Sequence, residues 1–327
     1  MGGPSLGPPK LDSAPVDSPH ICCNGPGHMR AASFFARTCL ATSAAFLTAC
    51  GSPPPKSVFP SADAALDRMK ATYACVNGVQ GTAKIDRFAP EGRIRGEVLL
   101  FAVNPDRVRF DVISPFGALI YTLTADGKRF QMLDMKEKQF LHGPASPCNL
   151  ARMTRVPIPG HALVSILRGE APLLVHRPSE STIAWDPSNG HYRVIIPSTH
   201  NARQEVHMAV RPDDWDKPWT EQRLRVMYVL VSQRGGDLYT AELSNHAAAT
   251  TAPPRLDPEG IDDPVQPIGG ACDAELPRSI RMRVPYTEED VIFQYNEAHW
   301  NPPLLPGSFE QPTPGGVRSL YVTCDEP

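Results

Sequence analysis

Thirty-six prolines in a chain of 327 residues exclude a helical bundle. Inside a helix each proline deletes a hydrogen bond and clashes with the preceding turn. At strand ends, sheet edges and turns it is tolerated, so the chain reads as many short strands joined by turns and extended connections. Residues 107–112 alternate Arg-Val-Arg-Phe-Asp-Val, as a strand with one wet face does. Leu119, Tyr121 and Leu123 continue the period of two, and Asp126-Gly127 marks a tight hairpin leading to Phe130 and Met132. Further strands are predicted at 140–141, 182–185, 192–196, 205–210, 224–231, 238–243, 279–284, 291–295 and 317–322. Residues 247–271 read as a long Pro/Asp/Gly loop.

Two helical pieces interrupt the pattern. Ser61 caps the first, whose apolar positions Ala62, Leu66, Met69 and Tyr73 share one face. The second starts near Pro159, places Leu163, Ile166 and Leu167 together and ends at Gly169. The expected fold is mainly β (α+β): about eleven antiparallel strands in a strongly curved sheet or incomplete barrel, with helices over its open side.

Thirty-two basic and 35 acidic side chains leave a net charge of -3 with no basic block, which excludes a nucleic-acid partner. Past residue 50 no apolar run approaches the ~18 residues that cross a bilayer. Before it lies a secretory signal. Arg30 and Arg37 precede the apolar run 38–47, which ends in Leu47-Thr48-Ala49-Cys50. The expected division is an upstream extension over 1–28, a lipoprotein signal over 29–49, a Pro-rich tether over 50–60 and one domain over 61–327. Cys50 is the expected lipidation site, since a thiol is nucleophilic enough near neutral pH to take a diacylglycerol as a thioether. No acidic residue follows it at Gly51 or Ser52, which fits a lipid-anchored protein on the periplasmic face of an outer membrane.

Cys75, Cys148, Cys272 and Cys324 remain after that site. An even number in an exported protein suggests bridges, Cys75 with Cys148 and Cys272 with Cys324 being one of three possible pairings. None of the four has the spacing of a metal site. The chain has no G-x-S-x-G elbow, no H-E-x-x-H and no phosphate-binding loop. Its histidines are scattered over turns and strand faces, and the carboxylates of Asp213, Asp214 and Asp216 sit in a Pro-flanked turn and read as solvated. No enzyme, cofactor or metal is expected.

Two segments carry a resemblance. Pro105-Asp106-Arg107-Val108-Arg109-Phe110 through Ser114-Pro115-Phe116-Gly117, and Val156-Pro157-Ile158-Pro159 through Leu163, Ile166, Leu167 and Gly169, are similar to the LolA/LolB superfamily of lipoprotein localisation factors. The likeness spans about residues 61–175 and is closest to the lipidated receptor. It implies binding of acyl chains from lipid-modified proteins or lipids, delivered by a soluble periplasmic carrier. By motif position it implies a membrane-contacting apolar residue at Phe116. The concave face expected to take the chains carries Leu99, Phe101, Phe110, Val112, Leu119, Tyr121, Leu123, Phe130 and Met132, with Ile166 opposite. A module holding a free hydrophobic ligand, or a scaffold subunit of an envelope complex, are the alternatives on the same fold.

Overall fold

The computed structural model describes residues 51–324, except 91 and 115. Cys50 and the predicted signal lie outside the described residues. The chain starts with α1 (Ala62–Tyr73), followed by strands β1 (Gly78–Ala89), β2 (Gly92–Val103), β3 (Arg107–Ile113), β4 (Leu119–Asp126), β5 (Arg129–Asp134) and β6 (Gln139–Pro144). Helices α2 (Pro147–Thr154) and α3 (Gly160–Leu167) then lead into β7 (Thr182–Asp186), β8 (His191–Pro197), β9 (Ala202–Val210) and β10 (Leu224–Gln233). The last strands are β11 (Gly236–Ala248), β12 (Glu275–Val284), β13 (Glu289–Trp300) and β14 (Arg318–Tyr321).

Among the described residues fourteen strands form one curved, open sheet in the order β14-β6-β5-β4-β3-β2-β1-β13-β12-β11-β10-β9-β8-β7. Every pairing is antiparallel except β14 with β6. The fold is thus mainly β, as the prolines and alternation require. It has more strands than the roughly eleven expected, β1 and β2 among the additions. Gly81, Gly92 and Gly96, and the charges Arg93, Arg95 and Glu97, break their alternation.

β1 joins the two halves of the sheet by pairing with β2 on one side and β13 on the other. Asp126 builds the expected hairpin between β4 and β5 by accepting the amides of Lys128 (2.9 Å) and Arg129 (2.6 Å). α1 is capped by Ser61, whose hydroxyl accepts the Ala64 amide at 3.1 Å, and buries Leu66, Met69 and Tyr73. α2 was not expected, although Ser146 caps it and Pro147 occupies its first turn, both ordinary helix-start signals.

The sheet topology also sets the disulfides, and here the expected pairing is corrected. Cys75 bonds Cys272 and Cys148 bonds Cys324, with Cα atoms 5.4 and 6.1 Å apart. Pairing of β1 with β13 brings the residue before β1 to the loop before β12. Pairing of β14 with β6 brings the chain end to α2. Both bridges therefore join residues remote in sequence, separated by 197 and 176 positions.

Within the expected tether, residues 52–60 are strapped to the body. The Ser52 amide donates to the Pro187 carbonyl (2.8 Å), and the Ser52 carbonyl accepts the Trp185 indole N–H (2.8 Å). Gln222, fully buried, donates to the Ser57 carbonyl at 2.9 Å. Phe59 is buried against the rings of Tyr192 (5.1 Å) and Trp219 (5.8 Å). Prolines suit such a strap because they need no amide partner. Ser57 and Phe59 supply the grip.

Candidate functional site

The concave face of the sheet is apolar, and α3 lies across it. Residues directly opposite each other in a ladder share a face. Ile85 on β1 faces Phe293 on β13, which faces Ile280 on β12; one rung on, Val291 faces Met282. With Val98, Phe110 and Val112 on β2 and β3, these side chains form the floor of a cavity. Val156 and α3 residues Leu163, Ile166 and Leu167 form its roof. The volume is about 90 Å³. Thr154 is the one polar residue in the lining, and its hydroxyl donates to the carbonyls of Leu150 (3.0 Å) and Val156 (3.2 Å). Gly96, opposite Ile85 on β2, contributes no side chain to this floor.

One rung beyond Ile85, on the same face, Arg87 and Glu289 form a buried bidentate ion pair. Arg87 Nε is 2.7 Å from Glu289 Oε2, and Nη2 is 2.6 Å from Oε1. It sits on the hairpin side of the cavity floor. Period-two parity with Ile85 was the only signal for it in the sequence.

The roof is held at one end. The Tyr295 hydroxyl donates to the Leu167 carbonyl at 2.9 Å. The buried Arg168 guanidinium donates to the Tyr73 carbonyl (3.3 Å) and to Asn104, and lies 3.4 Å from Glu170. Burial lowers the Arg168 pKa and raises that of Glu170. Gly169, at φ +85°, leaves a Cβ no room, since Pro277 Cδ would lie 2.6 Å from it. At the other end Pro159 precedes α3 with no side-chain cap.

Of the residues expected to bind lipid, Phe110, Val112 and Ile166 meet at this cavity. Leu123, Phe130 and Met132 are buried in the continuous core, and Tyr121 packs half-buried against it. Leu119 is exposed at the start of β4. Leu99 and Phe101 are corrected to the other face: Leu100 faces Phe110, whereas Leu99 faces Asp111 and Phe101 faces Arg109. Sequence reasoning missed the contributions of β1, β12 and β13, whose pairing only the tertiary fold reveals.

Phe116 stands on the turn between β3 and β4, 96% exposed. The Ser114 hydroxyl accepts the amides of Phe116 (3.3 Å) and Ala118 (3.1 Å), and Gly117 takes φ +80°. Of the three carboxylates expected to be solvated, Asp213 and Asp216 are exposed, whereas Asp214 is not. Asp214 is fully buried, with its oxygens 2.7 Å from Arg223 and 2.6 Å from Lys217. Burial pushes its carboxyl up, but these cations and the Arg223 amide outweigh that and hold it well below the usual range.

No family model matches the chain, and no curated protein matches its sequence. Among solved structures it is similar to a LolA superfamily protein from Nitrosomonas europaea, 11% identical with a TM-score of 0.44, covering 77% of this chain and 98% of that one. It is also similar to a DUF1329 family protein from Desulfovibrio piger, 8% identical with a TM-score of 0.46, covering 76% and 95%. A third is a domain from Vibrio parahaemolyticus named for outer membrane lipoprotein sorting, 10% identical with a TM-score of 0.41, covering 76% and 95%.

Proposed function

We propose that this protein is anchored through a lipid on Cys50 at the periplasmic face of the outer membrane. There it takes up acyl chains of lipid-modified proteins under α3 and passes them to the bilayer. The observation that carries this reading is the apolar cavity roofed by a short helix pinned at one end. A chain of some 15 methylenes loses about 12 kcal/mol of hydrophobic stabilisation when it stands in water, so transfer needs an apolar shelter. Apolar cavities of about 150 Å³ accept a guest the size of benzene. At about 90 Å³ the cavity is too small for an acyl chain, and admitting one requires the uncapped end of α3 to lift. Phe116, presented on a braced turn, is the proposed bilayer contact.

Uptake of a fluorescent acyl-cysteine lipopeptide, followed by its transfer to vesicles, tests both steps. Val112→Trp fills the cavity and is expected to lower uptake at least ten-fold. Phe116→Glu is expected to bind normally, keep the wild-type unfolding midpoint and lose transfer. Undiminished uptake by the first variant, or undiminished transfer by the second, overturns the corresponding step. The alternative, a carrier of free lipid, is favoured if phospholipid alone co-purifies with the protein.

A further inference from the structure

A second cavity, of about 340 Å³, lies beside the first. Val156, Leu163 and Met282 line the first cavity, while their neighbours Pro157, Ala162 and Val284 line the second. Met282 and Val284 share a face of β12 two residues apart, so the step between the two cavities is roughly 7 Å. Its outer margin carries Tyr286, which is 93% exposed.

One polar group in this second cavity is placed differently from the rest. Tyr239 on β11, paired with Val231, is only 8% exposed and lines the cavity. Its hydroxyl makes no hydrogen bond to any described residue. Tyr295 and Tyr73, equally buried, both donate to backbone carbonyls. A ligand acceptor entering the cavity can take this unshared proton, for the net gain typical of one hydrogen bond. Burial also raises the phenol pKa, so the group stays a donor. The other polar residues of the lining do not compete: His161 and Asp237 are exposed at the margin, and the Thr287 hydroxyl donates to the Val284 carbonyl at 3.4 Å.

We propose that the second cavity seats the ester end of an acyl ligand, with Tyr239 donating a hydrogen bond to the ester carbonyl while the chain runs past Val284 and Ala162 into the cavity under α3. This rests on the acyl-binding reading above and adds to it a preference for ester over ether linkage. The shared chemistry is an acyl glycerol ester, supplied by a lipid-modified protein or by a free phospholipid.

Palmitoyl lysophosphatidylcholine and its hexadecyl ether counterpart, titrated calorimetrically into the full-length protein, separate the two claims. The ester form is expected to bind about five-fold tighter, the worth of one hydrogen bond. Tyr239→Phe removes only the hydroxyl and is expected to erase that ratio while leaving the affinity for the ether unchanged. Leu174→Trp, which fills the second cavity from a half-buried position, is expected to weaken both ligands. A ratio near one in the wild type, or an unchanged ratio in Tyr239→Phe, overturns the ester seat and leaves the acyl-binding reading intact. Failure of both lipids to bind overturns both. A dipalmitoylglyceryl-cysteine peptide run beside them identifies the source. Tighter binding of the peptide supports a lipid-modified protein and tighter binding of the phospholipid a free lipid, the Tyr239 dependence in either case supporting the seat.

Discussion

His246 on β11 shows how a single side chain contributes to the response of this protein to acid. Its Nε2 is buried without a hydrogen-bond partner, and its pKa is pushed down to about 4, first by burial and then by Arg225, against the pull of Glu275. The unfolded chain takes up this proton near pH 6.5, but the folded protein only near pH 4. Stability from this group is therefore complete above about pH 6.5 and is lost as the pH falls toward 4. His191, lowered by burial and by His207, adds in the same sense. Glu170, raised by burial, works oppositely. His246→Gln is accordingly expected to lose less of its thermal midpoint than the wild type between pH 7 and pH 5. Parallel midpoint curves for the two proteins would falsify this assignment.

At the scale of elements, α3 is eight residues long, too short to persist by helix propensity alone. Its position depends on the buried face and on the bonds at its C-terminal end. Tyr295→Phe leaves the Leu167 carbonyl without its donor at a cost of roughly 1–2 kcal/mol. The expected result is about ten-fold faster amide exchange across 160–167 and faster uptake of acyl ligands, with the rest of the sheet unchanged. Exchange indistinguishable from wild type would show that burial alone holds the roof.

Local signals made both expected helices readable: Ser61 as cap of α1, and Pro159 and Gly169 bracketing α3. The same logic applied to Ser146-Pro147 would have found α2. The parity of β2 was harder to read, because Leu99 and Phe101 are as apolar as Val98 and Leu100. Only the register against β3 tells which pair faces inward.

For the whole molecule, the curved open sheet followed from proline content and alternation, but the cavity did not. Alternation tells which face a residue takes; it does not tell which strand lies next to it. The floor depends on β1 meeting β13 across more than two hundred residues of chain. Both disulfides depend on the same kind of remote pairing, which spacing in the sequence does not encode.

The strap at 52–60 changes what a lipid on Cys50 would mean. Ser52, two positions along the sequence from Cys50, is fixed at the β7–β8 turn. Phe59→Ala is expected to cost about 3–5 kcal/mol and to open residues 53–60 to limited proteolysis, while a strap that resists cleavage in the variant would count against this mounting. In the strand ladders, the β7–β8 turn lies at the end opposite the β3–β4 turn that carries Phe116. If Cys50 carries a lipid, a protein fastened this closely would be a fixed bracket rather than a buoy on a line, and the aim of Phe116 would be decided where the chain leaves the membrane.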